Sequence, residues 1–365
     1  MKLAQSIYIH FPFCRHRCNY CDFFKQVPTN NEKDFNSFEK LFLESFNQNQ
    51  IFLTDNNYRL DQLKTVYIGG GTPSLWGKRG ATLLKDLFDK NSINLQADCE
   101  FTLEVNPGSW TKDDLLAWRS SGVNRFSLGV QSLDSRFIKI LDRVHNLDEA
   151  LRTIEFFSNE DWNFSVDFML GLPYSEEWNR DIYKELDVIL SYRPKHLSLY
   201  ILTVKDNYPH YEKLPSEDYI ANEFLGVSKK LREAGYEHYE VSNFSLKDKE
   251  SKHNLRYWES ETVAALGPSA TGFLSESKKR YKWKTKSAEF EVENLSLEEF
   301  KLEEVYMLLR TNRIISRSEV MIADELLQKW SELSYVVLHS KDEFQVLPDG
   351  FLMLDSMMDD IFRYR

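Results

Sequence analysis

The first residues of the chain that could do chemistry are three cysteines in one short loop. Cys14, Cys18 and Cys21 have the spacing C-x-x-x-C-x-x-C, which places three thiols within eight residues. Soft sulfur ligands of this kind favour an iron–sulfur cluster or zinc. Structural zinc normally takes four protein ligands, usually as two separated pairs, and only Cys99 remains outside the group. A four-iron cluster held by three cysteines would keep one iron open for a substrate or cofactor.

Two other interpretations of the cysteine group stay open. Zinc could take His10 or His16 as its fourth ligand, or the three thiols could be free, although grouped exposed thiols are readily oxidised. Arg15 and Arg17 are predicted to favour the thiolate forms electrostatically. Cys99 stands alone at the start of a predicted strand, where an inert buried cysteine is the better interpretation.

The cysteines directly follow the first of six predicted β-strands. Short β-branched or aromatic runs alternate with stretches of helical periodicity, which is the pattern of parallel strands joined by crossover helices. The predicted strands are Ile7–His10, Val66–Ile68, Phe101–Val105, Arg125–Leu128, Ser165–Leu170 and Leu197–Leu202. The predicted helices between them include Ser37–Phe46, Thr111–Ser120 and Glu177–Ser191. Most of these strands run into polar or glycine-rich clusters, and α/β proteins form their sites where such strand ends share one rim.

The strand-helix repeat fades from about Lys205, which predicts a domain boundary there. Downstream, the sequence predicts a helix over Pro215–Ala234, a strand over Glu237–Asn243 and a helix over Ser296–Arg310 that opens with a capping-box spacing. The end of the chain predicts a β-hairpin from Glu343–Leu347, a Pro348-Asp349-Gly350 turn and Phe351–Leu354. We therefore predict an α/β core over 1–205, a barrel extension over 206–290 and a smaller helical, winged-helix-like α+β domain over 291–365.

Composition narrows the class of protein further. The chain has 365 residues, 42% of them hydrophobic, so it can bury a sizeable core. Its net charge of -11 argues against a nucleic-acid partner, which needs clustered surplus cations. The four cysteines do not form the framework of a secreted disulfide protein, and no apolar run suits a signal peptide or a membrane span. These features predict a cytoplasmic protein and leave peripheral membrane association open.

The cysteine spacing after a first strand, within a six-fold strand-helix series, resembles the radical S-adenosylmethionine (SAM) superfamily. The resemblance implies a partial (β/α)6 barrel and a 4Fe–4S cluster bound by Cys14, Cys18 and Cys21. It also implies that SAM chelates the fourth iron through its amino and carboxylate groups, and that an electron donor reduces the cluster. The match covers most of the chain from Ile7 to about Phe273.

Further residues match positions that hold SAM in this superfamily. Gly69-Gly70-Gly71-Thr72-Pro73 resembles the loop that binds the SAM amino group, and glycine lets a backbone approach a ligand closely. Asp167 lies among apolar strand residues, where an unpaired carboxylate is costly, so it needs a partner such as ligand hydroxyls or a cation. The resemblance implies roles beside the cluster or SAM for Tyr8, Tyr20, Gly70, Gly71, Thr72, Glu104, Gln131, Arg143 and Asp167. For the two tyrosines, core packing with a satisfied hydroxyl is an equally good interpretation.

Within the superfamily the chain resembles two related groups, the oxygen-independent coproporphyrinogen dehydrogenases and the HemW-type heme chaperones. The dehydrogenases carry a fourth cysteine two residues after the third, and a long N-terminal extension. Phe23 occupies that position here, and thirteen residues precede Cys14. Both features favour the HemW type, as does the run His253-Asn254-Leu255-Arg256-Tyr257-Trp258, which has the pattern H-N-x-x-Y-W.

The resemblance to HemW implies heme as a ligand and apo-hemoproteins as its recipients. His253 is a candidate axial ligand, with Tyr257 and Trp258 as ring faces for a porphyrin, and a hydrogen-bonded structural histidine is the alternative. Thr271 stands where relatives usually have a histidine, so the porphyrin side of the pocket could differ. Two competing functions stay open, oxidative decarboxylation of coproporphyrinogen III and a zinc-stabilised interaction protein. Cleavage of SAM also stays open, so the sequence does not assign the chain as an enzyme.

Overall fold

The structure is a computed structural model that describes residues 1–363, and a nine-stranded β-sheet lies at its centre. The first six strands are β1 (Lys2–Phe11), β2 (Tyr58–Gly70), β3 (Leu95–Val105), β4 (Arg125–Gln131), β5 (Phe164–Leu170) and β6 (His196–Ile201). They lie side by side in sequence order and pair in parallel. The predicted α/β class and its six parallel strands are confirmed.

Helices connect these strands, and most of them begin at polar capping residues. They are α1 (Asn31–Asp55), α2 (Gly77–Lys90), α3 (Lys112–Ser120), α4 (Ser135–Ile140), α5 (Leu147–Asn159) and α6 (Ile182–Ser191). Asn30, Thr111 and Asn146 each accept a hydrogen bond from a backbone N–H of the first turn. The predicted helix Glu177–Ser191 begins later, at Ile182, because Asp181 is its capping residue.

The central sheet continues beyond residue 205. Downstream lie α7 (Glu217–Glu233), β7 (Glu237–Glu240), β8 (Asn243–Ser245), α8 (Lys252–Trp258) and β9 (Ala264–Leu266), and the strand order is β7-β8-β6-β5-β4-β3-β2-β1-β9. The single strand predicted over Glu237–Asn243 is wrong, because the segment turns back after Glu240 to form an antiparallel pair. These strands agree with an extension of the core over 206–290, while the domain boundary itself stays a prediction.

Two small sheets complete the fold. The first contains β10 (Thr271–Leu274), β11 (Lys279–Trp283) and β12 (Phe290–Asn294). After α9 (Leu297–Leu309), whose predicted capping box is present, follow β13 (Ile315–Ser316), α10 (Arg317–Val320), α11 (Asp324–Glu332), β14 (Val336–Leu338), β15 (Glu343–Val346), α12 (Pro348–Leu352) and α13 (Leu354–Arg363). Within residues 1–363, no helix is long and apolar enough to cross a lipid bilayer.

The predicted C-terminal hairpin is wrong. The strand β15 exists, but it pairs with β13 and β14 upstream, and the residues after it form the helices α12 and α13. Pro348-Asp349-Gly350 is the first turn of α12, because the fixed φ of proline and an acidic side chain both suit a helix N-terminus. The helices α10 and α11 beside this small sheet agree with the predicted winged-helix-like arrangement.

One face of the central sheet carries a row of polar side chains. Side chains alternate along a strand, so Ile7 and Ile9 are fully buried on one face while Tyr8 lies on the other. Register neighbours on that second face are Tyr8 with Tyr67, Glu104 with Ser127, and Asp167 with Gly129 and Ser198. The predicted site residues Tyr8, Glu104 and Asp167, from three strands, therefore share one face of the sheet.

The edge strand β9 is held in place by Tyr281 of β11. The Tyr281 hydroxyl accepts a hydrogen bond from the Ala265 N–H at 2.8 Å and one from the Asn49 amide at 3.0 Å. Trp283 donates to the Ala265 carbonyl oxygen at 2.7 Å. These buried contacts connect α1, β9 and the sheet β10–β12.

Removing this hydroxyl tests the connection. We expect Tyr281→Phe to lower the free energy of unfolding by about 1–3 kcal/mol, because it leaves buried donors without their acceptor. Urea denaturation measures the change. Tyr211→Phe is the matched control, since the Tyr211 ring is exposed and its hydroxyl has no partner among the described residues. Equal stability of the two variants would contradict the assignment.

Candidate functional site

The three cysteines lie on the loop between β1 and α1, at the carboxyl end of the first strand. Backbone hydrogen bonds from Cys14 N to Gln26 O (2.9 Å) and from Gln26 N to Pro12 O (2.7 Å) fold this loop back on itself. All three thiols are free and half-buried. They line one cavity, called here the cysteine cavity, together with the predicted residues Tyr20, Gly70, Gly71, Thr72 and Arg143.

The donor set fits a multi-iron cluster better than a single zinc ion. Among residues 1–363, no group of three or more His, Cys, Asp or Glu side chains is arranged to hold one metal ion. Both ring nitrogens of His10 are engaged, Nε2 with the Phe24 carbonyl at 2.8 Å and Nδ1 with the Tyr8 hydroxyl at 3.1 Å. The His16 ring pairs with Asp142 at 2.7 Å. Neither histidine is placed as a fourth zinc ligand, whereas in a cluster the thiolates bind separate irons around one cavity.

Burial governs the acidity of two of the cysteines. It raises the pKa of the Cys14 thiol and the pKa of the Cys18 thiol. The Thr72 hydroxyl opposes this effect by donating to Cys14 Sγ at 3.4 Å, and the cations Arg143 and Lys25 lower the pKa of Cys18. Binding of metal would therefore release protons from thiols that burial keeps protonated.

The prediction that Arg15 and Arg17 favour the thiolates is wrong. Arg15 donates to the Gly108 carbonyl oxygen at 2.5 Å, and both arginines are exposed. Their charges are hydrated and screened. The cations that do act on the thiols are Lys25, within the loop, and Arg143, which comes from a distant part of the chain.

Arg143 ties the cysteine loop to the ends of the strands. Its terminal nitrogens donate to the Tyr20 hydroxyl (3.1 Å), Asn106 Oδ1 (2.7 Å), the Gly129 carbonyl (2.7 Å) and, more weakly, Cys18 Sγ (3.9 Å). The Asn106 amide in turn donates to the Thr72 hydroxyl at 2.9 Å. A chain of hydrogen bonds thus runs from Cys14 to Cys18. The Arg143 Nε is buried and has no partner among the described residues.

The glycines after β2 allow a close approach, as predicted, but to the protein's own backbone. Gly70 has a φ of +108°, and a Cβ there would lie 2.5 Å from the His10 ring. A Cβ on Gly71 would lie 2.6 Å from the Phe13 carbonyl oxygen. The Gly71 N–H donates to the Phe11 carbonyl at 2.7 Å, so this loop packs directly against the cysteine loop.

A second, larger cavity of about 750 Å³ lies on the other side of Gly70, which borders both cavities. Of the predicted residues, Tyr8, Glu104 and His253 also line this larger cavity. The Glu104 carboxylate accepts hydrogen bonds from the Tyr67 hydroxyl (3.0 Å) and the Gly70 N–H (3.2 Å). Burial, followed by the nearby Asp167 charge, raises the pKa of Glu104 to about 7.

Gln131 and Asp167 border neither cavity in the described part of the chain. The predicted need of Asp167 for a partner is met by strand hydroxyls, because Ser127 donates at 2.9 Å and Ser198 also donates to it. Burial raises the pKa of Asp167 to about 6. Gln131 has a φ of +70° at the end of β4, which places its amide near Arg143 across Gly129.

His253 lies in α8 and is only 1% exposed. Its Nδ1 hydrogen-bonds with the Thr65 hydroxyl at 2.8 Å, and its ring stacks on Tyr67 with centroids 5.1 Å apart. Its Nε2 has no partner among the described residues, and His253 borders the larger cavity. Burial lowers the pKa of His253 to about 3, so the imidazole is neutral at neutral pH. A neutral imidazole with one nitrogen held and the other free is the usual form of a metal-ligating histidine.

Sequence reasoning missed several residues at the two cavities. Asn106 and His145 line the cysteine cavity, each two residues after a predicted site residue. Arg310 lines the larger cavity, and no motif pointed to it because it follows the last residue of α9; Glu240 of β7 lines this cavity as well. Thr271, the predicted departure from the porphyrin-side pattern, also borders the larger cavity.

The raised pKa of Glu104 predicts a pH dependence of stability. In the folded protein Glu104 holds its proton up to about pH 7, while in the unfolded chain it titrates near its ordinary value of 4.5. The folded state binds more protons between these values, so this contribution to stability falls as the pH rises from about 5 to 7. In the metal-free protein, we expect the free energy of unfolding of Glu104→Gln to fall by about 2 kcal/mol less over this pH range than that of the unmodified protein. Urea denaturation at several pH values across the range measures the difference.

The control is Glu155→Gln, which changes an exposed glutamate on α5. Its stability should follow the same pH profile as the unmodified protein. If Glu104→Gln also follows that profile, the carboxyl group is not protonated in the folded state.

Comparison with known proteins agrees with this geometry. Residues 8–186 match the family model of the radical SAM superfamily. The heme chaperone HemW of Buchnera aphidicola subsp. Schizaphis graminum is 33% identical over 280 residues, which cover 74% of this chain and 70% of that protein. HemW of Lactococcus lactis is 32% identical, with 75% of this chain and 71% of that protein covered. HemW of Escherichia coli is 32% identical, with 73% of this chain and 69% of that protein covered.

A solved structure shows the same fold. Coproporphyrinogen III oxidase (HemN) of Escherichia coli, a radical SAM enzyme, aligns with a TM-score of 0.78 over 100% of this chain and 91% of that chain. Its sequence identity of 19% supports a shared fold alone. The identity to the HemW proteins is higher and extends over most of both chains. The chain therefore belongs to the radical SAM superfamily and, within it, to the HemW family.

Proposed function

We propose that the protein is a heme chaperone that holds a 4Fe–4S cluster and SAM at the cysteine cavity, binds heme in the larger cavity and delivers it to apo-hemoproteins. His253 is the observation that carries heme binding, because its free Nε2 belongs to a neutral imidazole beside a cavity of about 750 Å³. The class of ligand comes from the relatives, which are heme chaperones.

The residues of the cysteine cavity fit the cluster and SAM. When bound, the cluster offers an open iron to the SAM amino and carboxylate groups. The unpartnered Nε of Arg143 suits the carboxylate, and the backbone of Gly70, Gly71 and Thr72 suits the amino group. Because Gly70 borders both cavities, a ligand held there can also reach Glu104. Tyr20 holds Arg143, whereas Gln131 and Asp167, which the resemblance places beside SAM, lie behind the described linings of both cavities.

One observation favours heme binding over coproporphyrinogen chemistry. Phe23, at the position of the dehydrogenases' fourth cysteine, is 70% exposed and lines the larger cavity. An exposed aromatic ring at a cavity suits stacking against a flat, conjugated macrocycle such as heme. A porphyrinogen is not flat, because its pyrrole rings are joined by saturated carbons.

The cluster ligands are tested by single substitutions. We expect Cys14→Ser, Cys18→Ser and Cys21→Ser each to lose most of the iron and acid-labile sulfide after anaerobic reconstitution, because a serine hydroxyl is a poor ligand for iron–sulfur clusters. Iron and sulfide assays measure the loss. Cys99→Ser is the control, since Cys99 is buried away from the loop and 5% exposed, and it should keep the full content. Full content in a loop variant would contradict its assignment.

The proposed function is tested by titrating the reconstituted full chain with ferric heme. We expect a saturable Soret band, and we expect His253→Ala to shift this band and weaken binding by at least about tenfold, since loss of even an outer-shell partner costs that much. The control is His339→Ala, which changes an exposed histidine between β14 and β15, and it should behave as the unmodified protein.

The same sample distinguishes the competing functions. Incubation with SAM, a reductant and coproporphyrinogen III should yield no protoporphyrinogen. Formation of that product would overturn the chaperone assignment in favour of the dehydrogenase. An unchanged Soret band in His253→Ala would remove the histidine as the ligand, and zinc without iron or sulfide would select the interaction protein.

A further inference from the structure

The larger cavity contains one side chain with a fixed positive charge. Among the described residues that line it, Arg310 is the sole lysine or arginine, while Asp22, Glu104 and Glu240 are acidic. Arg310 is the residue that ends α9, in the C-terminal part of the chain. The cavity is therefore acidic except at this one point.

Arg310 has no carboxylate partner among the described residues. Its guanidinium lies over the Trp258 ring, 4.5 Å from the centroid, and Nη1 donates to the Tyr306 hydroxyl at 3.1 Å. Its Nε is buried without a partner. Two other buried arginines are paired with carboxylates, Arg180 with Glu185 at 2.8 Å and Arg125 with Glu100 at 3.9 Å, and the terminal nitrogens of Arg143 have four acceptors. A partly buried guanidinium without an anion is costly, so this site suits an anionic group of a ligand.

Glu240 is the acidic residue whose charge Arg310 influences. Arg310 lowers the pKa of Glu240, but burial dominates and raises it to about 7. The Glu240 carboxyl accepts a hydrogen bond from the Ser242 N–H at 3.3 Å. Glu240 is thus engaged by its own turn and only partly charged near neutral pH, which leaves the guanidinium free for a carboxylate from outside.

We propose that Arg310 binds a propionate carboxylate of the porphyrin, so that the larger cavity selects porphyrins with free carboxylates. This inference rests on the proposed function, in which heme occupies the cavity. The spacing of residues along α8 can be compared with the size of a porphyrin. With a rise of 1.5 Å per residue, His253 and Trp258 lie about 7.5 Å apart along the helix axis, and the Arg310 guanidinium lies over the Trp258 ring. That separation is comparable to the distance from a porphyrin centre to its edge. Iron at His253 and a propionate at Arg310 therefore suit one ligand.

The inference also explains the choice between porphyrins. Heme is a dicarboxylate, whereas coproporphyrinogen III is a tetracarboxylate. Among the described residues that line the cavity, one guanidinium can pair with one carboxylate, so the additional carboxylates of a tetracarboxylate would find no cationic partner there. The charge pattern of the cavity thus favours heme.

The test compares heme with heme dimethyl ester, in which both propionates are neutral. In Soret titrations of the reconstituted full chain, we expect the ester to bind about tenfold or more weakly than heme, because a charged hydrogen bond is lost. Arg310→Gln should weaken heme by a similar factor without moving the Soret maximum, and should not weaken the ester further. Arg313→Gln, an exposed arginine paired with Glu319, is the control and should bind heme normally.

The results of these titrations distinguish the carboxylate site at Arg310 from heme binding as such. If the unmodified protein binds heme and its ester equally tightly, the carboxylate site is wrong while heme binding stands. If the unmodified protein shows no saturable heme binding, the proposed function is wrong and this inference falls with it. The comparison of the two ligands needs no variant, so it decides the question even if Arg310→Gln does not fold.

Discussion

The burial of the Arg143 guanidinium is the interaction on which the cysteine cavity depends. A buried charge is costly unless acceptors surround it, and its acceptors here come from the cysteine loop (Tyr20), the end of β3 (Asn106) and β4 (Gly129). Satisfying one side chain therefore fixes three separate segments relative to each other. Together with the backbone hydrogen bonds from Cys14 to Gln26 and from Gln26 to Pro12, this network holds the cysteine loop in place.

The two cavities share a wall but differ in charge. Lys25 and Arg143, which both lower the pKa of Cys18, line the cysteine cavity, whereas three of the four Asp, Glu, Lys or Arg side chains that line the larger cavity are acidic. Cations near sulfur ligands favour the thiolate forms that bind iron.

The proposed heme site would combine parts that are distant in the sequence. His253 is held by Thr65 of β2, stacks on Tyr67 and has its backbone N–H bound by Glu100 of β3. Its ring is fixed before any ligand arrives, which lowers the entropy cost of binding. Arg310 adds a contribution from the C-terminal part of the chain. The ligand would therefore bridge the central sheet and α9, and its binding or release would depend on how these two parts are packed.

Features that depend on local spacing and alternation could be predicted from the sequence. These are the six parallel strands, the cysteine group on the loop after β1, and the glycine loop beside it. Which distant groups meet became visible in the three-dimensional structure. It showed that Ser127 and Ser198 satisfy Asp167, that Arg143 rather than Arg15 acts on Cys18, and that Arg310 enters the larger cavity. Pro348–Leu352 forms a helix and not the predicted hairpin turn. The two could not be distinguished locally, because the same residue types favour a turn and the first turn of a helix. Strand patterns and motifs depend on residues that are close together in the sequence. Burial, charge pairing and the hydrogen-bonding state of a histidine nitrogen depend on contacts between distant residues, so local spacing cannot predict them.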